Sequence, residues 1–167
     1  MENINDFNSN AESAESHLDK GNALYDKEDY ESAILEYNKA LGLNPNLTIA
    51  YFKRGNAKNK IELYFEAISD YDAAIRLNPD DGIAYYNRGV IKDKLGHPEA
   101  AIPDFDKAIH LNPNSVEVYA SRGIAKRELG RTDDAKRDYQ TALDLAEKAG
   151  NQELKSQIMK SMERLED

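Results

Sequence analysis

The 167-residue sequence contains no cysteine and no tryptophan, and it has no long apolar run. Without cysteine, the chain can form no disulfide, no thiolate zinc site and no cysteine nucleophile. The absence of disulfides favours a reducing compartment, and we predict a cytoplasmic location. No window approaches the roughly 18 apolar residues of a spanning helix, and the acidic start differs from a secretory signal. We therefore expect no membrane insertion.

Basic residues are also in short supply. The 22 Lys and Arg residues face 31 Asp and Glu residues, which gives a net charge of −9. A general nucleic-acid-binding protein needs a basic surface that releases counterions from the phosphate backbone. The acidic balance therefore argues against nucleic acid as a partner.

What the sequence does contain is a repeat of 34 residues. One row of this repeat consists of glycines, namely Gly21, Gly55, Gly89 and Gly123. Another row consists of aromatic rings, namely Tyr37, Tyr71, Phe105 and Tyr139. Such a period indicates stacked supersecondary units. We predict four repeats at residues 14–47, 48–81, 82–115 and 116–149, with a polar, acidic and disordered segment before them at 1–13 and a capping helix after them at 150–167.

Each repeat has the pattern of two helices, most clearly in the third. Its first helix is predicted to begin at Asp81 or Gly82 and to run to about Leu95. The second begins at Pro98 and ends before Pro113, because proline fits the first turn of a helix but cannot continue one. Apolar residues recur at spacings of three and four, which is the period of a helix. Pro103 lies inside this helix and is expected to bend it locally.

These residues resemble a known family. Tyr85-x-x-Arg88-Gly89, Ala101-Ile102, Phe105 and Leu111-Asn112-Pro113 are similar to a tetratricopeptide repeat (TPR), and the resemblance extends over residues 14–149. It implies an all-α fold, a right-handed α-solenoid of four helix-turn-helix repeats plus a C-terminal capping helix. In that helix, one apolar stripe is formed by Leu154, Ile158, Met162 and Leu165. The stripe is typical of a cap, and the alternative is a helix for self-association or docking.

Charged residues follow the same period. Arg54, Arg88 and Arg122 form one row, and Lys58, Lys92 and Lys126 form another four residues later. The second helices carry the acidic row Glu36, Asp70, Asp104 and Asp138. We predict a ladder of helix-to-helix ion pairs, each adding about 0 to 1 kcal/mol if exposed. The alternative is a basic track for a phosphate backbone.

No motif indicates catalysis or a cofactor. The three histidines, His17, His97 and His110, occupy unrelated places, so a metal site is not expected. The glycines follow the packing period, and neither GxGxxG nor GxxxxGK occurs. We predict a chain that is not an enzyme and has no catalytic residue, cofactor or metal.

Apolar and amide side chains also lie on the side of each first helix that faces away from the packing stripe. In the resembling family this side is the concave peptide groove. The predicted groove residues are Leu18, Asn22, Tyr25, Ile49, Phe52, Asn56, Asn59, Ile83, Tyr86, Asn87, Val90, Ile124 and Arg127. Phe52, Tyr86, Ile49, Ile83, Val90 and Ile124 would have no core to enter, and such patches usually mark binding surfaces. The alternative is that these side chains pack between neighbouring first helices or against the cap.

The groove predicts a non-enzymatic adaptor that binds a peptide or helix of another protein. Some family members hold a C-terminal carboxylate with lysines, an arginine and asparagines. Aligned from the second repeat, the matching residues here are Phe52, Asn56, Asn87, Glu117 and Ser121, which lack every basic group. A carboxylate clamp is therefore disfavoured. Alternative hypotheses are a structural or self-assembling subunit, or a regulatory subunit of an enzyme carried on another chain.

Overall fold

The computed structural model describes residues 12–163, and within this range the chain is entirely helical apart from turns. The helices in chain order are α1 (Ala14–Asp26), α2 (Tyr30–Leu43), α3 (Thr48–Lys60), α4 (Tyr64–Leu77), α5 (Gly82–Lys94), α6 (Pro98–Leu111), α7 (Val116–Glu128), α8 (Thr132–Lys148) and α9 (Gln152–Glu163). The predicted all-α class is confirmed. Most of the segment predicted to be disordered, and Leu165 of the C-terminal stripe, lie outside the described residues.

The helices form two compact units. One unit extends to Leu77 and holds α1 to α4, and the other begins at Asn78 and holds α5 to α9. Within each unit every helix packs against the next helix in the chain, and the first helices of adjacent pairs also touch. This neighbour-to-neighbour packing is the defining property of a repeat protein.

Side-chain caps and special turns set the helix boundaries. The Asp81 carboxylate accepts hydrogen bonds from the backbone N–H groups of Ile83 and Ala84 at 3.0 and 3.1 Å, and so caps the start of α5. Pro98 occupies the first turn of α6, as predicted, and the helix continues through Pro103. Whether Pro103 bends α6 stays a prediction.

The turn between the two helices of a pair uses a left-handed backbone at the same repeat position. The residues there are Glu28 (φ 61°), Glu62 (φ 63°), Gly96 (φ 80°) and Gly130 (φ 70°). Glycine adopts this conformation without steric cost, whereas a side chain with a Cβ loses about 1 kcal/mol there. The turns of the first unit therefore hold strain that those of the second unit avoid.

The aromatic row forms the core between paired helices, as predicted. Tyr37, Tyr71, Phe105 and Tyr139 are all completely buried. Each ring lies over the periodic glycine of its own first helix, so closely that a Cβ at Gly89 would approach Phe105 Cε1 to 2.8 Å. The glycine row is thus required by the close approach of a ring to a helix backbone.

Replacing these glycines should therefore destabilise the chain. We expect Gly123→Ala to lower the free energy of unfolding by about 1 to 3 kcal/mol, because its Cβ would lie 2.8 Å from Tyr139 Cε1. A Cβ at Gly42, in α2, would instead have no neighbouring atom within 4 Å. Gly42→Ala should therefore stabilise the chain by up to about 1 kcal/mol, through helix propensity. Urea denaturation followed by circular dichroism measures both changes, and equal stability of Gly123→Ala and wild type would contradict the packing argument.

The C-terminal helix closes the apolar side of α8. Ile158 is 2% exposed and packs with Ala142 and Ala146 of α8, and Leu154 and Met162 adjoin the same cluster. Asn151 caps α9 by accepting a hydrogen bond from the Leu154 N–H at 3.0 Å. The predicted apolar stripe therefore packs against the preceding helix over the part of the chain that the structure describes.

Candidate functional site

The first helices of the second unit expose a mixed apolar and polar surface. On α5 it is formed by Ile83, Tyr86, Val90 and Asp93, whose spacing places them on one side of a helix. We call this surface, together with Asn87 of α5 and Ile124 and Arg127 of α7, the second-unit face. Ile83 is the most exposed member of the face, at 63%. The remaining members of the face are half-buried.

A cavity of about 410 Å³ lies at one end of this face. Its apolar wall is formed by Ile83 and Tyr86 of α5, Ala108 and Leu111 of α6, and Val118 of α7. Polar groups surround it, namely Asn78, Asp80, Asp81, Asn112 and Ser115. The volume falls within the range of about 300 to 1,000 Å³ seen for ligand pockets. The cavity can therefore take an apolar side chain whose neighbours contact polar groups.

The corresponding surface of the first unit is more occupied by internal contacts. We define the first-unit face by Leu18, Asn22, Tyr25, Ile49, Phe52, Asn56 and Asn59. Leu18 packs against two core clusters, and the Tyr25 ring lies edge-on to Tyr30 at 5.2 Å. Phe52 is half-buried, with its ring centre 6.0 Å from that of Tyr71. Ile49 is the most open apolar member, at 43% exposure.

Asn22 and Asn56 of the first-unit face accept hydrogen bonds from core tyrosines, a role that the sequence did not predict. The Tyr37 hydroxyl donates a hydrogen bond to Asn22 Oδ1 at 3.0 Å, and the Tyr71 hydroxyl donates to Asn56 Oδ1 at 2.6 Å. Each amide therefore satisfies the buried hydroxyl of the core ring in its own repeat. An amide oxygen so engaged has less capacity to hold a ligand backbone.

The sequence carried a signal for this pairing. In the third repeat the amide and the hydroxyl are lost together, because Val90 stands opposite Phe105. In the fourth repeat the hydroxyl remains but its amide does not, since Ile124 occupies that position. The Tyr139 hydroxyl is accordingly buried without a hydrogen-bond partner among the described residues.

The expectation that six apolar groove residues have no core to enter is wrong for four of them. Phe52 lies beside the buried Tyr71 ring. Tyr86 and Val90 pack against the cluster that contains Phe105, and Ile124 packs against the cluster that contains Tyr139. The reason is that neighbouring helices contact α5 and α7 on more than one side, which leaves less of their circumference free. Ile49 and Ile83 are the residues that remain truly exposed.

The second-unit face also contains a carboxylate, Asp93, with one buried oxygen atom that accepts no hydrogen bond from the described residues. Asp93 is half-buried, and its Oδ1 atom lies out of contact with water and has no hydrogen-bond partner in the described part of the chain. Burial raises the pKa of Asp93 to about 6, and the Glu128 carboxylate adds to the shift. Arg127 opposes the shift, but it gives Asp93 Oδ1 no hydrogen bond.

The periodic arginines and lysines, in contrast, pair internally. Arg122 Nε and Nη2 donate to Asp138 at 2.9 and 2.7 Å, and Lys126 Nζ donates to the same carboxylate at 2.7 Å. Arg54 and Lys58 pair with Asp70 in this way, and Arg88 and Lys92 pair with Asp104. The predicted ladder is confirmed for Asp70, Asp104 and Asp138, whereas Glu36 of the first repeat pairs with His17 and Lys39 instead. The assumption that its pairs are exposed is wrong, because the three aspartates are only 3 to 4% exposed.

Residues 12–163 contain neither a cluster of metal-ligating side chains nor a membrane-spanning helix. No three metal-ligating side chains come together there. No helix in this range has the length and apolar content needed to cross a bilayer.

Known family models match the repeats of this chain. Profiles described as TPR repeat match residues 21–61, and profiles described as tetratricopeptide repeat match residues 49–81, 82–115 and 105–137. The chain belongs to the tetratricopeptide repeat family. No curated protein matches the sequence significantly.

Solved structures of other TPR proteins are similar to this chain. A crystal structure of MamA shares 30% sequence identity with a TM-score of 0.80, over 82% of this chain and 80% of that one. YrrB, whose structure is described as a TPR protein with an unusual peptide-binding site, shares 24% identity with a TM-score of 0.72, over 92% and 86%. The first TPR of Spaghetti (RPAP3), bound to the HSP90 peptide SRMEEVD, shares 26% identity with a TM-score of 0.69, over 71% and 94%. The TPR architecture of this chain is that of a protein-interaction adaptor.

Proposed function

We propose that this TPR protein is a non-enzymatic adaptor that binds a peptide or helix of a partner protein on the first-helix faces of its repeats. The observation that carries the proposal is the cavity beside Ile83 and Tyr86, in which an exposed aliphatic side chain and an aromatic ring meet. Interfaces derive much of their free energy from apolar and aromatic anchors that fill such pockets. The proposed contact residues are the thirteen groove residues predicted from the sequence, seven on the first-unit face and six on the second-unit face.

The relatives support a peptide as the ligand. The RPAP3 domain, at 26% identity, is bound to a peptide in its solved structure. A peptide laid along the second-unit face of this chain would meet the cavity first and the Asp93 end of α5 second. The acidic composition supports a protein partner over nucleic acid, and a cytoplasmic location remains part of the proposal.

Four exposed or half-buried apolar residues test the proposal. Twelve-residue random peptides would be selected on the full chain by display, and the best binders would be synthesised and measured by fluorescence anisotropy. We expect Phe52→Ala with Tyr86→Ala to weaken binding by about 2 kcal/mol or more. Because both rings also adjoin core rings, the pair Ile49→Ser and Ile83→Ser provides a second test that leaves the core intact.

The control uses apolar residues of the same exposure on second helices. Leu35 of α2 and Phe65 of α4 are 60% and 72% exposed, and neither belongs to a first-helix face. Leu35→Ser with Phe65→Ser should leave peptide binding unchanged. If this control pair abolishes binding while the Ile49 and Ile83 variants bind as wild type does, the partner binds the second helices and the proposal is wrong.

A further inference from the structure

Gly82 is the first residue of α5 and lines the cavity of the second-unit face. Its backbone is not left-handed, in contrast to that of Gly96, Gly130 and Gly150. Glycine is also a poor helix former, so neither backbone conformation nor helix propensity accounts for a glycine here. The lack of a side chain at this place therefore has another cause.

The same position carries a side chain in the other three repeats. The residues that begin α1, α3 and α7 are Ala14, Thr48 and Val116. Val116 is 8% exposed and belongs to the core cluster that holds Ala142 and Ala146 of α8. In the fourth repeat this side chain therefore occupies space between the first helix and the second.

A Cβ at Gly82 would meet the corresponding part of α6. It would lie 3.3 Å from Leu111 Cβ and 3.6 Å from the Ala108 carbonyl oxygen. Gly82, Ala108 and Leu111 all line the cavity, so a side chain at residue 82 would take up part of its volume. Glycine thus leaves the cavity of the third repeat open on this side.

The open cavity has room for a large aromatic side chain. An apolar cavity of about 150 Å³ already holds a benzene ring, whereas this one measures about 410 Å³. A small aliphatic side chain would leave part of it empty and would forfeit dispersion contacts. Tyr86 offers a ring against which another ring can pack, and it lies against the buried Phe105 ring, whose centre is 6.1 Å away.

The rim of the cavity favours a ligand that donates hydrogen bonds. The described residues that line it include two carboxylates, Asp80 and Asp81, and no lysine, arginine or histidine. Asp80 is exposed and Asp81 is half-buried, so a ligand in the cavity can reach both. The cap of α5 uses only Asp81 Oδ1, which leaves Oδ2 as an acceptor. An aromatic ring has an electron-poor edge, and the indole N–H and the phenol O–H are donors, so such a side chain matches both the apolar wall and the acidic rim.

We propose that the cavity is a subsite for a tryptophan or tyrosine side chain of the partner segment, and that Gly82 makes room for it. This inference rests on the proposed function. The ring packs against Ile83 and Tyr86, and its N–H or O–H group donates to a carboxylate at the rim. Gly82 is then a specificity-determining residue, because it sets the size of the side chain that the cavity accepts.

Display of random twelve-residue peptides on the full chain tests the preference. Binders that Ile83→Ser weakens should carry tryptophan or tyrosine, and a tryptophan binder is then synthesised. The chain itself contains no tryptophan, so tryptophan fluorescence in the mixture comes from the peptide alone. Its emission should shift to the blue on binding, because the ring leaves water for an apolar cavity. Changing this tryptophan to leucine should weaken binding about ten- to a hundredfold.

The hydrogen bond is tested on the ligand, without any change to the protein. Benzothienylalanine has the shape of tryptophan but carries sulfur in place of the indole N–H. Because a peptide with this residue lacks the donor, we expect it to bind about tenfold more weakly. Equal affinity of the two peptides would overturn the assignment of a donor.

Gly82→Ala tests the size of the cavity, and Gly42→Ala is the matched control. The new methyl group at residue 82 should weaken the tryptophan binder about tenfold, since it competes with the ring for space. Display on Gly82→Ala should select smaller anchors such as leucine or valine. A Cβ at Gly42 of α2 would have no neighbouring atom within 4 Å, so Gly42→Ala should leave the affinity unchanged. Circular dichroism checks that both variants fold, and if Gly82→Ala does not, the comparison of the two peptides decides.

Two outcomes would overturn the inference as a whole. One is a set of selected peptides that bind at the second-unit face with no preference for tryptophan or tyrosine. The other is a tryptophan binder whose affinity is the same for folded Gly82→Ala and for the wild type. In both cases Ile83→Ser still weakens the peptides, so the proposed function stands. Binding that Ile49→Ser and Ile83→Ser leave intact would instead overturn the proposed function.

Discussion

Truncating Phe105 to alanine should lower the free energy of unfolding by about 3 to 5 kcal/mol. The ring is completely buried, lies over Gly89 of α5 and contacts the Tyr86 ring, whose centre is 6.1 Å away. Its removal loses the transfer free energy of the aromatic carbons and leaves a cavity between α5 and α6. Ala101 and Ala108 are buried in the same cluster, and their small side chains cannot fill the space that the ring leaves.

Urea denaturation followed by circular dichroism measures this loss, and Phe65→Ala is the matched control. Phe65 is the same residue type but is 72% exposed on α4. Its truncation should change stability by less than about 0.5 kcal/mol. A loss below about 1 kcal/mol for Phe105→Ala would mean that the ring does not hold the helix pair together.

Replacing Asp138 with asparagine should cost about 3 to 5 kcal/mol, because it leaves two cations without their buried anion. Arg122 and Lys126 both donate to Asp138, and all three side chains are largely shielded from water, with exposures of 17%, 12% and 6%. Asparagine keeps the shape of the side chain but removes its charge. The effect therefore reports the electrostatic contribution and not a loss of packing.

The control for this substitution is another partner of the same arginine. Asp106 also accepts from Arg122, at 2.5 Å, but its side chain is 54% exposed. Asp106→Asn should cost only about 0 to 1 kcal/mol, since water and salt screen exposed pairs. Equal effects of Asp106→Asn and Asp138→Asn would show that burial does not set the strength of the ladder.

The fold was predictable from the sequence because the same packing residues recur at the same positions in all four repeats. The rows of glycines and rings fixed which sides of the helices meet, and the pairing of Arg122 with Asp138 followed from their common period. A single sequence cannot show how deeply a charge is buried, which is why the ladder was expected to be exposed. Burial depends on how closely the helix backbones approach, and that distance follows from the glycine and ring contacts together.

The site was harder to predict because a helical wheel treats each first helix as if only one neighbour covered it. Val90 and Ile124 lie opposite the packing stripe on such a wheel, yet they touch the core clusters. The amide of Asn22 looked available for a ligand, but the Tyr37 hydroxyl occupies its oxygen. Only the three-dimensional arrangement reveals that Asp93 Oδ1 has no hydrogen-bond partner among the described residues.

The two main contacts within a repeat, ring to glycine and arginine to aspartate, close chain segments of the same length. Each buried ring meets a glycine sixteen residues before it, and the Arg–Asp pairs span sixteen residues as well. Loop-closure entropy for so short a segment is small and is the same in each repeat. Chains dominated by such local contacts fold rapidly, and no single repeat is favoured as the place where folding nucleates.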